Sequence, residues 1–201
     1  QAKNLAFLSR FVDAGVNLSG NCIPYLTGFI PLMGDHFVSC ESSAVLFMNS
    51  LWGARGNGDG IEASFCAAVC GRTPKAGMHT KKNRAATLEV AINTRPRTLF
   101  DWDRLGYALG ALLPPHAVPL FTGDFPKPDA ILLKTFFASL ACSAGTEMCY
   151  LPGISPEAPS LSAAFQGNRK YETLVVEDRH IKAGEMALTG TQSKKIDYIT
   201  I

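Results

Sequence analysis

No stretch of this 201-residue chain is apolar for anything near the ~18 residues that a membrane span needs. The greasiest runs, Ala44–Met48 and Ala108–Leu113, are short enough to read as core. Charge is also scarce: 18% of residues are ionisable acids and bases, and the net charge is +2. The cations are scattered and form no basic stripe, so a nucleic-acid partner is not expected. Their densest cluster, Lys75 to Arg84, also holds His79, Asn83 and small residues, and reads as a solvated loop in preference to a phosphate patch. Gln1 to Phe11 lacks the basic region followed by a long apolar region that marks a secretory leader, so the expected location is cytoplasmic. Internal repeats and low-complexity linkers are missing too. The six cysteines are irregularly spaced in a chain that is not small, which argues against a disulfide scaffold. Cys66 and Cys70 are four apart with no second close pair, so a zinc ribbon does not fit.

What is present is a 47% hydrophobic chain, long enough to bury a core. Residues 2–14 place Leu5, Leu8 and Val12 on one helical face with Gly15 beyond the end. "VNLSGN" reads as a short strand running into a loop, and Pro24 and Pro31 keep residues 22–35 irregular. "HFVSC" reads as a short strand, 42–52 as a buried helix, "GARGNGDG" as a glycine-rich loop and 61–70 as a helix stopped by Gly71. "ATLEVAI" alternates as a strand. Asp101 is the expected N-cap of a helix over 102–113 carrying Trp102, Leu105, Leu109 and Leu112, closed by Pro114. "AVPLF" is a strand, and helix 128–141 buries Ile131, Leu132, Phe136 and Leu140. "EMCYL", "ETLVV" and "DYITI" complete the strands. Helices alternating with short apolar strands predict an α/β fold with a largely parallel sheet. Ligands in such sheets sit beyond the carboxyl ends of strands, which directs attention to loops 20–28, 39–43, 53–60 and 71–84.

Single motifs in these loops are weak. Gly56 to Gly60 follows a helix instead of a strand, and no Gly-Lys-Ser/Thr is present, so the glycines read as a connector and not a nucleotide fingerprint. Arg55, between glycines at the end of a buried helix, is placed to meet a carboxylate or phosphate. Ser39, Ser42 and Ser43 lack a Gly-x-Ser-x-Gly setting. Their hydroxyls read as helix caps at a helix start that also suits an anion. His79 alone reads as structural. Cys22, held before Pro24, is either core or a thiolate presented by a rigid turn.

In order along the chain, however, "NCIPYLTGFIPLMGDH", "SCESSAVLFMNSLWGARGN", "AAVCGRTPKAGMH", "KKNR" and "SAGTEMCYLPGISPEAP" resemble the large-subunit catalytic domain of the aconitase X family. They match its Cys-Thr-Pro-Tyr segment with the following Gly-x-His, its Ser-x-Glu-Ser-Ser-Ala-Val helix, and its Gly-Ala-Arg loop. Its Gly-Arg-Thr-Pro, Gly-x-His and Asn-Arg elements and its Pro-Gly-x-x-Pro-Glu-Ala exit follow. The resemblance covers essentially the whole chain. It implies one aconitase-like catalytic domain over 1–201, with a subdivision near 95–125. It also implies a hydro-lyase acting on a small hydroxy acid such as a hydroxyproline or mevalonate 5-phosphate. An iron–sulfur cluster, 4Fe-4S or 2Fe-2S, and a small swivelling subunit or fused domain would accompany it.

Carried onto this sequence, the resemblance implies Cys22 as a cluster ligand. Glu41, Ser42, Ser43 and Arg55 become catalytic, and Ser39, Asn57, Arg72, Thr73 and His79 bind substrate. Glu41 or a serine would be the base and Arg55 the carboxylate clamp; Arg55, Arg72 and Arg84 are the cations available to a phosphate. Gly20 stands where the family often has a second cysteine. Gly56 stands where it usually has threonine, which is expected to widen the pocket or change the substrate. Cys40, Cys66, Cys70, Cys142 and Cys149 are expected to pack. "KKIDYITI" ends on an apolar run with no turn after it, and the family pattern continues beyond such a strand into Gly-Cys-Pro-His. The chain is therefore expected to be a fragment with further cluster ligands outside it. The competing expectation is a non-catalytic α/β module that binds small anions.

Overall fold

The structure is a computed structural model that describes residues 2–189. The expected strand "DYITI" lies outside them. The chain divides into two compact units, one ending at Ile30 and the other beginning at Pro31.

In the first unit, α1 (Ala2–Asp13) is the predicted amphipathic helix. Gly15, at φ +88°, turns the chain while Val16 N–H bonds back to the Phe11 carbonyl at 2.9 Å, so glycine supplies the left-handed conformation of a helix stop. "VNLSGN" is not a strand: residues 16–21 have no ladder partner among the described residues. The Asn21 side chain accepts the Ile23 N–H at 3.0 Å, and this turn presents Cys22 as an exposed free thiol.

Among the described residues the second unit holds a three-stranded, fully parallel sheet in the order β2–β1–β3, from β1 (Leu88–Ile92), β2 (Pro119–Gly123) and β3 (Glu172–Val176). Val90 stands opposite Phe121 on one side and Leu174 on the other. The alternation read in "ATLEVAI" sets this register. Leu88, Val90 and Ile92 are buried, while Glu89 and Ala91 are only partly covered. α4 (Leu99–Leu109) connects β1 to β2, and α5 (Ala130–Ala144) follows β2. The short α6 (Leu161–Ala164) precedes β3, and α7 (Asp178–Thr189) follows it. Helix α7 has no counterpart among the predicted elements.

Two helix starts differ from expectation. Thr98, not Asp101, is the N-cap of α4: its hydroxyl accepts the Asp101 N–H at 3.2 Å while the Asp101 carboxylate reaches back to the Thr98 N–H at 2.9 Å. This reciprocal box satisfies two otherwise orphaned donors and adds a turn at the front. In α5 the buried stripe is Leu133, Phe136, Phe137 and Leu140, and Ile131 stays exposed. Asp129 accepts the Ile131 and Leu132 N–H groups and fixes the start of α5, and at 3.6 residues per turn Ile131 falls off the stripe set by Leu133, Phe136, Phe137 and Leu140.

Helices α4 and α5 approach closely because two glycines permit it. A Cβ on Gly106 would lie 2.5 Å from the Phe136 carbonyl oxygen, and one on Gly110 would lie 2.4 Å from Ser143 Cβ. The Ser143 hydroxyl donates to the Gly106 carbonyl at 3.0 Å across the seam. Phe136 then meets Trp102 and Phe121 edge-on, at ring separations of 5.4 and 5.3 Å. Replacing Gly106 by Ala forces backbone apart and is expected to destabilise the protein by about 1–3 kcal/mol. Chemical denaturation measures it; an unchanged midpoint would contradict this account of the seam.

Candidate functional site

The helix after "HFVSC" is α2 (Ser42–Leu51), buried along Ser43–Ser50 as its apolar composition predicts. It joins two short extended segments that pair in parallel, with bridges His36–Arg55 and Ser39–Gly58. Neither segment is a full strand. Arg55 N–H bonds the Asp35 carbonyl at 2.8 Å, Phe37 N–H the Arg55 carbonyl at 3.1 Å, and Asp59 N–H the Ser39 carbonyl at 3.2 Å. "HFVSC" is thus a brief ladder and not the predicted strand, and "EMCYL" likewise forms one bridge, Tyr150 to Leu120.

Pleat alternation puts His36, Arg55 and Asn57 on one face of this ladder. Phe37 lies under the other, with its ring 2.3 Å from where a Gly56 Cβ would stand. The space left by a glycine at 56 is therefore filled by Phe37 and does not widen a pocket. α3 (Ile61–Cys70) follows, and beyond its left-handed cap Gly71 the chain folds back over the face. Asn57 Oδ1 accepts the Met78 N–H at 2.7 Å, and His79 Nδ1 lies 2.9 Å from His36 Nδ1. His79 Nε2 is 3.0 Å from the Thr73 hydroxyl.

Behind the face sits a buried polar hub. Arg84 is 1% exposed. Its guanidinium donates to Glu157 (Nε–Oε2 2.9 Å), to the Met78 carbonyl (3.2 Å), and to the side chain and backbone carbonyls of Asn49 (3.3 and 3.2 Å). Asn49 in turn donates to the Gly56 and Glu147 carbonyls and accepts the Gly56 N–H. Tyr150 donates its hydroxyl to the Arg84 carbonyl at 2.7 Å, and burial pushes its phenol far above the usual range. Arg84 is consequently committed and is not a free cation for a phosphate.

The expected site residues separate into groups. Arg55, Asn57, Thr73 and His79 converge as described. Ser39, Glu41 and Ser43 form the cap of α2 at the end of the ladder. The cap residue is Glu41, not a serine: its Oε1 accepts the Ser43 N–H at 3.3 Å and the Ser43 hydroxyl at 3.0 Å, while Ser39 Oγ accepts the Glu41 N–H at 3.1 Å. Ser42 and Arg72 are exposed, and no hydrogen bond ties either side chain to the face. Cys22 belongs to the first unit. The sequence motifs assign no role to His36, whose only sign is its place in "GDH", to Glu157, whose only sign is its place in "PEAP", or to Asn49, which looks like an ordinary helix position.

Arg55 Nε is buried and has no hydrogen-bond partner among the described residues. A buried guanidinium N–H without an acceptor is costly, which sets Arg55 apart from the satisfied Arg84. Burial, then the neighbouring His36 and Arg84, hold the His79 imidazole below its ordinary pKa, against an opposing pull from Asp59.

Metal donors are sparse. Among the described residues no group of three or more His, Cys, Asp or Glu is arranged to hold a metal ion. The packing expected of the remaining cysteines is met by Cys149 alone, whose thiol is pushed up to about 12 by burial and hydrogen-bonds Ser50. Cys40, Cys66, Cys70 and Cys142 are exposed. An iron–sulfur cluster takes several thiolates. The described residues offer Cys22 without companions, so by themselves they do not fit one.

The second unit is therefore a parallel α/β unit that carries Arg55 and the His36–His79 pair on one face of a short ladder. Comparison with known proteins gives the family. A model of the aconitase X first domain matches residues 1–82, and one of the aconitase X second domain matches residues 86–185. The chain belongs to the aconitase X family. It is 34% identical over 181 residues to the phosphomevalonate dehydratase large subunit of Thermococcus kodakarensis, covering 90% of this chain and 45% of that protein. It is 34% identical over 200 residues to the cis-3-hydroxy-L-proline dehydratase of Pseudomonas aeruginosa, covering 98% and 34%. The crystal structure of Thermococcus kodakaraensis aconitase X in its holo form superposes with a TM-score of 0.80 at 32% identity, over 92% of this chain and 46% of that one. The chain thus spans less than half the length of these relatives. None of its described helices is long and apolar enough to cross a membrane.

Because the folded protein keeps His79 neutral while the unfolded chain protonates it near pH 6.5, the unfolded state binds the extra proton below that pH. The stabilisation is full above about 6.5 and declines as pH falls toward the lowered folded value. Urea midpoints at pH 7.5 and 5.5 are expected to differ more for the wild type than for His79→Gln. Equal differences would contradict a neutral, buried His79.

Proposed function

We propose that the protein is a hydro-lyase that eliminates water from a small hydroxy acid. The observation that carries this reading is Arg55 Nε, buried without a partner beside His36 and Asn57. It is supported by the dehydratase names of the two relatives. Arg55 clamps the substrate carboxylate, Asn57 and Thr73 fix the loop that covers it, and Ser39, Ser42 and Ser43 line the helix entry with Arg72 and His79 completing the wall. Glu41 takes the proton α to the carboxylate, and the Arg55 charge stabilises the carboxylate as negative charge develops. With Arg84 locked to Glu157, few cations remain for a phosphate, which favours a hydroxyproline-type acid over mevalonate 5-phosphate.

Cys22 is proposed as one ligand of an iron–sulfur cluster, 4Fe-4S or 2Fe-2S, whose other ligands lie outside the described residues. Such a cluster supplies a Lewis acid for the departing hydroxyl. A small swivelling subunit or fused domain and a cytoplasmic setting belong to the same proposal. The name "large subunit" carried by a relative supports the first of these.

Anaerobic turnover of the intact protein with cis-3-hydroxy-L-proline and with mevalonate 5-phosphate tests the reading. Arg55→Ala is expected to lower kcat/KM about 10²–10³-fold, and Glu41→Gln to lower kcat about 10²–10⁴-fold. Near-normal rates would remove that residue from the mechanism. Protein that stays colourless after iron and sulfide reconstitution, with Cys22 freely alkylated and no turnover, would favour a non-catalytic anion-binding module.

A further inference from the structure

We propose that His36, His79 and Thr73 form a single-proton relay. In it His36 exchanges a proton with the bound hydroxy acid through Nε2, while His79 and Thr73 are positioning residues that hold its tautomer. This rests on the hydro-lyase reading above.

The geometry permits few alternatives. The two imidazoles stack at 5.1 Å with planes 23° apart, and their Nδ1 atoms meet at 2.9 Å. One Nδ1 must carry the hydrogen and the other must offer a lone pair. Two imidazolium charges at this separation repel strongly, so the pair holds one charge at most. His79 is 4% exposed and His36 is exposed, so the charge resides on His36. A protonated His36 has hydrogen on both nitrogens, and its Nδ1–H therefore donates to His79 Nδ1. The single hydrogen of His79 is then on Nε2 and donates to the Thr73 hydroxyl. When His36 releases its Nε2 proton, the Nδ1–H remains engaged and the ring keeps one tautomer.

The other groups that act on the buried ring are Asp59, Arg84 and the Arg55 backbone. Arg84 is neutralised by Glu157, and Asp59 is half-buried. His36 and Arg55 are bridge partners on one face, and the proposal sets the substrate carboxylate on Arg55 and its β-hydroxyl at the His36 ring. In the elimination, the Cβ–O bond breaks with its electron pair, and the oxygen takes the Nε2 proton and leaves as water. The Cα–H pair becomes the Cα=Cβ bond, and its proton goes to Glu41. One proton is given and one received, with no change in oxidation state.

Long-range 1H–15N correlation spectra of the intact protein between pH 5 and 8 test the relay without turnover. His36 Nδ1 is expected to keep an N–H-type shift throughout. His79 should show lone-pair Nδ1 and N–H Nε2 across the range. A lone-pair shift at His36 Nδ1, or a protonated His79 Nδ1, overturns the proposal. In turnover, His36→Gln is expected to lower kcat about 10²-fold or more with little change in KM and to remove a limb of the pH profile. Thr73→Val should shift that limb and Thr73→Ser should restore it. Wild-type kcat in His36→Gln also overturns the proposal. If the intact protein dehydrates no hydroxy acid although the shifts match, the functional reading fails while the pairing stands.

Discussion

The buried Arg84 guanidinium is the constraint on which the rest of the site depends. It joins three pieces of chain that have no sheet in common: the end of α2 through Asn49, the loop over the face through the Met78 carbonyl, and the segment after Tyr150 through Glu157. Taking a guanidinium out of water costs several kcal/mol unless it is paired and its donors are satisfied. Here the ion pair and carbonyl acceptors do both. Removing one partner of such a pair typically costs about 3–5 kcal/mol. The penalty keeps the loops together, because they can separate only by stranding the charge.

From this hub the functional face follows. Asn49 grips both polar groups of Gly56, so the Gly56 backbone cannot drift from α2. That fixes Arg55 and Asn57 on either side of it. Asn57 fixes Met78, and Met78 brings His79 to His36. The arrangement leaves the Arg55 Nε buried without an acceptor among the described residues, in contrast to the fully satisfied Arg84.

The α/β class, the central helix α2 and the alternation of β1 were legible because each depends on local periodicity. Ser39 to Ser43 as a helix entry was legible too, although the Glu41 carboxylate, longer than a serine hydroxyl, does the capping. "HFVSC" was overread as a strand, and its ladder partner at 55–58 was hidden in a segment that reads as a glycine-rich loop, since a few extended residues can pair without forming a sheet. Long-range polar contacts left no local trace. Arg84 looked like one more loop cation, and nothing in its neighbours announces a partner 73 residues away. His36 was hidden for the same reason, being 43 residues from His79. The four exposed cysteines were misjudged because thiols are usually buried, and composition does not locate them.

Amide hydrogen exchange in Arg84→Met, compared with wild type, tests the hub most directly. Neither the Gly56 nor the Met78 amide bonds to Arg84 itself. The account predicts that both lose protection together, by about tenfold or more, while Val90 in the central strand stays protected. Wild-type protection at Gly56 and Met78, or a loss spread equally over the sheet, would contradict it.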